Sequence, residues 1–270
     1  MNRFKHFSFL LLMIYSNSNF SFGQDNQANP FNLDFTRETI ILGTGTAVAL
    51  TAFFILKNVQ PLTSEEISLL NPANVNGFDR GAIGPYTEDT AGDVLLYVSY
   101  LLPASFLAYS ETRNDFGELA LMYAEVLLVQ GSINGIVKGA VLRTRPYVYD
   151  DQTAMDEKTT TDARISFFSG HTSISAAASF FTAKVFSEYI KDETIKILIW
   201  SGAAILPAAI GLMRVNSHWH FPTDVIAGYA FGALVGYFVP ELHKSKLGEN
   251  ISISPSIDIN RPALSLQIKF

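Results

Sequence analysis

The sequence predicts an all-α fold, with a core bundle of six helices that crosses a membrane and a short C-terminal β-hairpin after it. Two features support this prediction. Only 16% of the 270 residues are charged and 48% are hydrophobic, whereas an average soluble domain has about 25% charged residues. Glycine, alanine and serine recur within the apolar segments, and such small residues let helices approach closely in lipid. The alternative is a soluble bundle whose helices are apolar because they are buried on all sides.

Residues 1–23 have the layout of a secretory signal peptide. Two basic residues precede an apolar run at residues 7–15, and small residues at 21–23 offer a cleavage site. The apolar run is too short to span a bilayer, as the central part of a signal peptide should be. A polar segment, residues 24–38, follows. The alternative is an N-terminal anchor that is not cleaved.

Six weakly polar segments predict the six helices, and together they define a helical domain at residues 39–243. The segments are residues 39–56, 94–110, 119–137, 172–186, 197–213 and 225–239. Each is near or below the roughly 17–25 residues that a membrane span needs. Length therefore does not by itself separate the membrane bundle from the soluble one.

The remaining segments are polar. Residues 57–93 carry several turn signals, and residues 147–165 are rich in Asp, Thr and Lys, so both are predicted to be solvated connections. The tail, residues 244–270, has a different pattern. Residues 251–254 and 264–270 alternate apolar and polar side chains around a turn sequence. This alternation predicts the β-hairpin.

Two properties of the chain narrow the classes of function. The sequence contains no cysteine, which excludes disulfides, thiolate metal ligands and cysteine nucleophiles. The formal net charge is −6, so nothing supports nucleic-acid binding. Candidate chemistry is therefore left to histidines, carboxylates and basic residues, which gather in three clusters.

The first cluster ends the third predicted helix. Lys138 and Arg145 are seven residues apart, about two helical turns, so they share a face if the helix continues. Such a pair suits a dianionic ligand, and Arg145 can donate two parallel hydrogen bonds to phosphate oxygens. The alternative is that these cations only satisfy the helix end. Arg143, between them, is expected to pair with Asp150 or Asp151; the alternative is that it extends the cationic patch.

The second cluster is Ser169-Gly170-His171, which opens the fourth predicted helix. Ser169 is a typical N-cap, and Gly170 lets the backbone approach a ligand closely. The free N–H groups of a helix start form an anion site, and His171 would lie at its mouth. The alternative is a capped helix with a surface histidine.

The third cluster joins the fifth and sixth predicted helices and contains Arg214, His220 and Asp224. On a helix, residues four apart lie on one face, so Asp224 can accept the Nδ1–H of His220. That hydrogen bond leaves Nε2 free as a nucleophile towards phosphorus. A half-built metal site is the alternative, but the chain has no H-E-x-x-H motif, and we expect no metal here. His218 is expected to be a solvent-facing or packed loop residue.

Together, the three clusters resemble the signature of the type 2 phosphatidic acid phosphatase and vanadium haloperoxidase superfamily, and in particular its bacterial lipid phosphatase branch. The matching motifs are Lys-x6-Arg-Pro, Ser-Gly-His and Arg-x5-His-x3-Asp, with nine specified residues in order across residues 138–224. Two positions depart from the family pattern. Phe168 stands where the family usually has Pro, and Met213 stands where it usually has Ser.

The resemblance implies a metal-independent phosphatase that needs no cofactor and acts through a phosphohistidine. In this reading His220 attacks phosphorus and Asp224 orients it. His171 protonates the leaving group and then activates water. The residues implied to bind phosphate oxygens are Lys138, Arg145, Ser169, Gly170 and Arg214.

The implied substrate is a phosphorylated membrane lipid of the phosphatidate, isoprenyl diphosphate or lipid A type. The alternatives are a soluble periplasmic acid phosphatase, a vanadium-dependent haloperoxidase, a non-catalytic phosphate- or lipid-binding protein, and a lipid phosphotransferase. The expected location is the bacterial cell envelope, either the inner membrane with the site facing the periplasm or the periplasm itself. A cleaved signal followed by six spans would instead place the motif loops inside, so the topology stays open, as does the oligomeric state.

Overall fold

The computed structural model describes residues 29–244, 251–258 and 261–268. The predicted signal peptide lies outside the described residues. Ten α-helices occur in the described part: α1 Phe35–Lys57, α2 Ser64–Ser68, α3 Gly77–Arg80, α4 Thr90–Leu101, α5 Ser110–Asn114, α6 Phe116–Val141, α7 Met155–Lys158, α8 Gly170–Tyr189, α9 Glu193–Asn216 and α10 Pro222–Leu242. Four 3₁₀ turns occur at Pro72–Asn74, Leu102–Ala108, Pro146–Tyr149 and Asp162–Arg164. The helical fold class is as predicted.

Helix α8 is the centre of the bundle. It packs against α4, α6, α9 and α10, while α1 lies on the outside against α6. Thirteen of its twenty residues are buried. Alanine, serine and threonine dominate α8, and these short side chains let four helices approach it at once.

Glycines at every fourth position of α10 bring that helix into backbone contact with α8. A Cβ at Gly228 would lie 2.6 Å from the carbonyl oxygen of Ser169, and one at Gly232 would collide with the carbonyl oxygen of Ser173. The Ser169 amide in turn donates to the backbone carbonyl of Asp224 at 3.0 Å. The glycine stripe therefore aligns the N-termini of α8 and α10, which carry the second and third clusters.

Five helical segments are long and apolar enough to cross a membrane: Phe35–Lys57, Thr90–Ala108, Phe116–Tyr149, Glu193–Asn216 and Pro222–Leu242. Large apolar side chains are exposed on their outer faces, including Phe53, Phe54, Tyr97, Leu198, Ile205 and Leu234. A water-soluble bundle would not expose so much apolar surface. The chain is therefore a membrane protein. The sixth long helix, α8, is not among the five, so six spans remain a prediction.

The segments predicted to be simple polar connections form a layer over one end of the bundle. We call residues 58–89 and 142–165 the cap segments. They contain α2, α3, α7 and three of the 3₁₀ turns. One small core joins the two segments and consists of Leu62, Ile67, Tyr147, Val148 and Ala163. A second core, of Val75, Ala82 and Phe221, ties α3 and its neighbourhood to the start of α10. Turn signals in the sequence do not reveal these long-range contacts.

Two strands, β1 Ile251–Asp258 and β2 Arg261–Ile268, pair antiparallel in the tail, with Ile251 opposite Ile268. The two residues that would join them, 259–260, lie outside the described residues. The predicted C-terminal hairpin therefore remains a prediction.

Candidate active site

The structure brings the three clusters together at the capped end of the bundle. Lys138 lies near the end of α6, Ser169 caps α8, Arg214 lies near the end of α9, and Asp224 lies in the first turn of α10. Arg145 and His220 come from the loops between these helices. The positive charge of Arg145 is close enough to lower the pKa of both His171 and His220. All eight candidate residues thus lie at the same end of the bundle.

Asp224 is fully buried and holds the position of His220. Its Oδ2 lies 3.4 Å from Nδ1 of His220, at the outer limit of a hydrogen bond, and accepts from the hydroxyl of Ser166 at 2.5 Å and the amide of Phe221 at 2.9 Å. Its other oxygen accepts from Arg143 at 2.5 Å. The four donors fix the carboxylate, so it can orient the imidazole. The predicted pair is present, but His220 lies in the loop before α10 and not on the same helix face as Asp224.

The prediction that Arg143 pairs with Asp150 or Asp151 is wrong. Its guanidinium instead bridges Asp224 and Asp79 of α3, the latter at 2.7 Å. The reason is local: α6 ends at Val141, and Leu142 takes a left-handed conformation with φ 49° that turns the chain towards α10. Because α6 ends at Val141, Lys138 and Arg145 do not share a helix face. The prediction that they share one held only if the helix continued.

The candidate nucleophile, Nε2 of His220, faces a guanidinium. Nη1 of Arg145 lies 3.0 Å from it and also donates to the carbonyl oxygen of Trp219 at 2.8 Å. Burial and then the charge of Arg145 lower the pKa of His220 to about 3, although Asp224 opposes the shift. His220 is therefore neutral near neutral pH, and Nε2 keeps a lone pair.

Asp93, which was not predicted, lies beside the other candidate residues. Oδ1 of Asp93, on α4, lies 3.0 Å from Nε2 of His171 and also contacts the guanidinium of Arg214. Asp89 forms a second contact with Arg214, at 3.2 Å. Burial and then Arg214 lower the pKa of His171 to about 4, against the opposing effect of Asp93. Asp93 thus occupies the place between a histidine and an arginine that an anionic ligand would favour.

The N-terminus of α8 is capped as predicted. The hydroxyl of Ser169 accepts from the amide of Thr172 at 3.4 Å. A Cβ added at Gly170 would reach 3.4 Å from Asn134 Oδ1 and 3.9 Å from Lys138 Cε, so the glycine keeps open the space beside the lysine. The ammonium of Lys138 is buried and donates to the carbonyl oxygen of Ile165 at 2.5 Å. A lysine, a serine hydroxyl and free amides therefore converge at this helix start.

Five other residues beside the candidate residues were not predicted. Asp79, Asp89 and Asp162 come from the cap segments, Asp93 comes from α4, and Ser166 directly follows the second cap segment. Asp162 pairs with Arg145 at 3.0 Å. The residue before a helix is often a carboxylate that caps it, and Asp89 does cap α4. This local signal gives no hint that the carboxylate meets Arg214 more than a hundred residues later. His218, by contrast, lies outside the site: it is a packed loop residue whose Nδ1 lies 2.9 Å from the carbonyl oxygen of Ala82.

Comparisons with known proteins find similarity to one superfamily. The PAP2 superfamily model matches residues 119–247, which include all three clusters. The match covers a little under half of the chain, and over that region the chain is similar to this superfamily. It is 31% identical over 87 residues to phospholipid phosphatase 1 of Rattus norvegicus, covering 31% of each chain. It is 27% identical over 139 residues to a PA-phosphatase related-family protein of Dictyostelium discoideum, covering 48% of this chain and 51% of that one.

The chain thus spans between about a third and a half of the length of these curated relatives. Among solved structures, it is similar to the transmembrane PAP2 type phosphatidylglycerolphosphate phosphatase from Bacillus subtilis, with 18% identity and a TM-score of 0.45. That match covers 73% of this chain and 94% of the other.

Proposed function

We propose that this chain is a metal-independent lipid phosphatase that hydrolyses a phosphomonoester or diphosphate group through a phosphohistidine intermediate. One observation carries the proposal: a neutral His220, oriented by Asp224, presents Nε2 to Arg145 at 3.0 Å, while His171 and Arg214 lie in the same site. The match of residues 119–247 to the superfamily model and the two curated phosphatase relatives support the activity. Binding of phosphate alone would not require two histidines of opposite roles.

In the first step, Nε2 of His220 attacks phosphorus in line with the leaving oxygen. The N–P bond forms as the P–O bond to the lipid breaks, and His171 transfers a proton to the leaving oxygen. Asp224 accepts the Nδ1–H of His220 and stabilises the positive charge that develops on the ring. The phosphate dianion also favours the protonated form of His171, which the unliganded site keeps neutral.

In the second step, water attacks the phosphohistidine. His171, now neutral, takes a proton from the water as the new O–P bond forms and the N–P bond breaks. Phosphate leaves and His220 returns to its starting state. The same residue thus acts as an acid and then as a base, which general acid–base catalysis requires of a group with two successive proton transfers.

Throughout both steps, fixed positive charge holds the non-transferred oxygens. Phosphoryl transfer depends mainly on positioning and on stabilising charge over three equatorial oxygens. The groups that would do this are Lys138, Arg145 and Arg214 with the Ser169 hydroxyl and the amides at Gly170 and the start of α8. Lys138 and Arg145 are already held by backbone carbonyl oxygens, so these two cations need little reorganisation when phosphate binds.

A phosphorylated membrane lipid fits the surroundings of the site. Five apolar helices carry the site residues or pack beside them, and the bundle exposes its apolar side chains outward. A lipid tail can therefore lie against the bundle while its headgroup enters the site. We further propose that the site faces the periplasm of a bacterial envelope. Hydrolysis of a membrane-impermeant substrate by intact cells tests this orientation.

Phosphate release from a panel of substrates tests the proposed function. We expect detergent-purified protein to hydrolyse a lipid, among phosphatidate, undecaprenyl diphosphate and lipid A, faster than p-nitrophenyl phosphate. Because protein cations replace Mg²⁺ at the site, we expect EDTA in the assay to leave turnover unchanged. Activity confined to p-nitrophenyl phosphate would favour the acid phosphatase alternative. Activity that EDTA removes and Mg²⁺ or Zn²⁺ restores would contradict the metal-independent chemistry.

Removing the charge of Asp93 should strengthen anion binding. In the unliganded site this carboxylate contacts both His171 and Arg214, so an incoming phosphate must compete with it. We expect Asp93→Asn to lower the inhibition constant of orthovanadate by roughly tenfold, a change of about 1.4 kcal/mol. Inhibition titrations measure this, with Glu88→Gln, which changes an exposed carboxylate just before α4, as control. Unchanged or weaker inhibition by vanadate would show that Asp93 does not compete with the ligand.

A further inference from the structure

A second cluster of ionisable side chains lies at the opposite end of the bundle from the active site. It consists of Glu38 on α1, Glu125 on α6 and His243 immediately after α10, and all three are buried. Asp224 and His243 lie at the two ends of α10, nineteen residues apart, so the two sites are separated by about 28 Å. The mechanism above uses none of these three residues. Ionisable groups buried inside a membrane bundle are costly and usually have a function.

The histidine of this cluster is oriented as a ligand. Its Nδ1 lies 2.7 Å from the carbonyl oxygen of Val239, which fixes the proton on Nδ1. Nε2 therefore faces the two carboxylates, at 2.9 Å from Oε2 of Glu38 and 3.1 Å from Oε2 of Glu125. A ligating histidine typically donates its other ring N–H to a backbone carbonyl in this way.

Groups outside the cluster hold the carboxylate of Glu38 in place. Its Oε1 accepts from Arg37 Nη2 at 2.7 Å and from the backbone amide of Asp34 at 3.0 Å, so only Oε2 points at the cluster. The carboxylate is thus fixed by groups outside the cluster, as second-shell partners fix metal ligands.

Glu125 supplies the observation that points to a missing ligand. The residue is fully buried, and within the described part of the chain neither of its carboxylate oxygens accepts a hydrogen bond of good geometry; the contact of Oε2 with Nε2 of His243, at 3.1 Å, is an ion pair. A buried carboxylate without partners is strongly unfavourable. A proton on Nε2 of His243 would provide a single donor, which the better-placed Glu38 oxygen at 2.9 Å would take. Oε1 of Glu125 would then stay without a donor, and Oε2 would keep only the longer contact with His243 at 3.1 Å.

We propose that Glu38, Glu125 and His243 bind one divalent transition-metal cation of the Zn²⁺ or Mn²⁺ type. The donor atoms lie within 4.8 Å of one another. Two ligands about 2.1 Å from a metal and 90–110° apart are separated by about 3.0–3.4 Å, which fits the observed N···O distances. One imidazole nitrogen and up to three carboxylate oxygens form a donor set that suits Zn²⁺ or Mn²⁺.

A proton is the competing occupant of this position. Burial lowers the pKa of His243, but the carboxylates of Glu125 and Glu38 outweigh burial and raise it to about 9. The metal instead contacts all three side chains and ties α1, α6 and the end of α10 together. The cation is then a structural element of the bundle, and the chemistry at the other end proceeds without it.

Metal content of the full-length protein in detergent tests the proposal. After loading with Zn²⁺ and desalting, we expect about one zinc per chain by mass spectrometry, and with Co²⁺ we expect visible absorption bands of a bound ion. The Glu125→Gln variant should bind at least about tenfold more weakly. The matched control is Glu241→Gln, which removes a nearby carboxylate that pairs with Lys184 outside the cluster.

The outcomes separate this site from the active site. His220→Ala should keep the zinc of the wild type, and EDTA should lower the unfolding temperature of the wild type without changing turnover well below that temperature. A wild-type chain that retains no zinc and shows no cobalt bands would overturn the proposal and leave a protonated His243 as the occupant. Zinc retained in full by Glu125→Gln, or lost in His220→Ala, would place the metal elsewhere. If Glu125→Gln does not fold, the cobalt spectrum of the wild type decides whether the cluster binds a metal.

Discussion

Replacement of His220 by alanine should reduce turnover by about 10⁴- to 10⁶-fold, the size of loss seen when an enzyme loses its nucleophile. The imidazole is buried, neutral and held by Asp224, with Nε2 facing Arg145. No other histidine of the described chain has this arrangement. Steady-state phosphate release from the preferred lipid measures the effect, and unfolding temperature confirms that the variant is folded.

The matched control is His218→Asn, two residues away. His218 has a positive φ of 61°, which asparagine tolerates, and its ring packs in the cap segments instead of the site. We expect this variant to keep turnover within about threefold of the wild type, as a surface or loop substitution does. Turnover in His220→Ala above a hundredth of the wild-type value would contradict the role of His220.

The second large effect is expected for His171→Ala, with turnover lower by about 10²- to 10⁴-fold, the usual contribution of a general acid and base. The residue takes part in both proton transfers, so its loss slows formation and hydrolysis of the phosphohistidine. Poor leaving groups depend most on protonation. The loss should therefore be larger for an alkyl phosphate than for p-nitrophenyl phosphate, whose leaving group needs little help.

A pair of substrates thus distinguishes catalysis from positioning. His171→Ala should lower turnover of phosphatidate more than that of p-nitrophenyl phosphate, while Lys138→Ala, which removes an oxyanion-binding cation, should lower both by a similar factor. Equal losses on both substrates in His171→Ala would contradict the assignment of His171 as the acid. The comparison needs no assumption about absolute rates.

Much of this site could be predicted because each motif is local. The cap at Ser169 depends on helix geometry alone, and the structure shows it. The pairing of His220 with Asp224 was predicted from their short spacing, although His220 lies in the loop before α10 and not on the helix. The glycine stripe of α10 is visible in the sequence as well, although its effect, the alignment of α8 and α10, depends on which helix it faces. Small residues reveal that a contact is close but do not identify the partner.

The residues that were missed depend on long-range contacts. Asp93 reaches Arg214 across more than a hundred residues, and Asp79 reaches Arg143 from a segment that carries only turn signals. The wrong prediction for Arg143 has the same origin. Asp150 and Asp151 are near it in the sequence, but the left-handed Leu142 turns the chain so that Arg143 meets Asp79 and Asp224 instead. Carboxylates on cap segments have no periodicity that would mark them as part of a site. Only the fold places them.

Identification of the phosphorylated residue is the most direct test of the account. Wild-type protein would be mixed with ³²P-labelled substrate, quenched rapidly in base and digested, and the labelled peptide sequenced by mass spectrometry. We predict an acid-labile, base-stable phosphate on Nε2 of His220, present without added metal and absent in His220→Ala. Label on another residue, or turnover of substrate with no trapped phosphoenzyme in either the wild type or His171→Ala, would contradict the phosphohistidine mechanism.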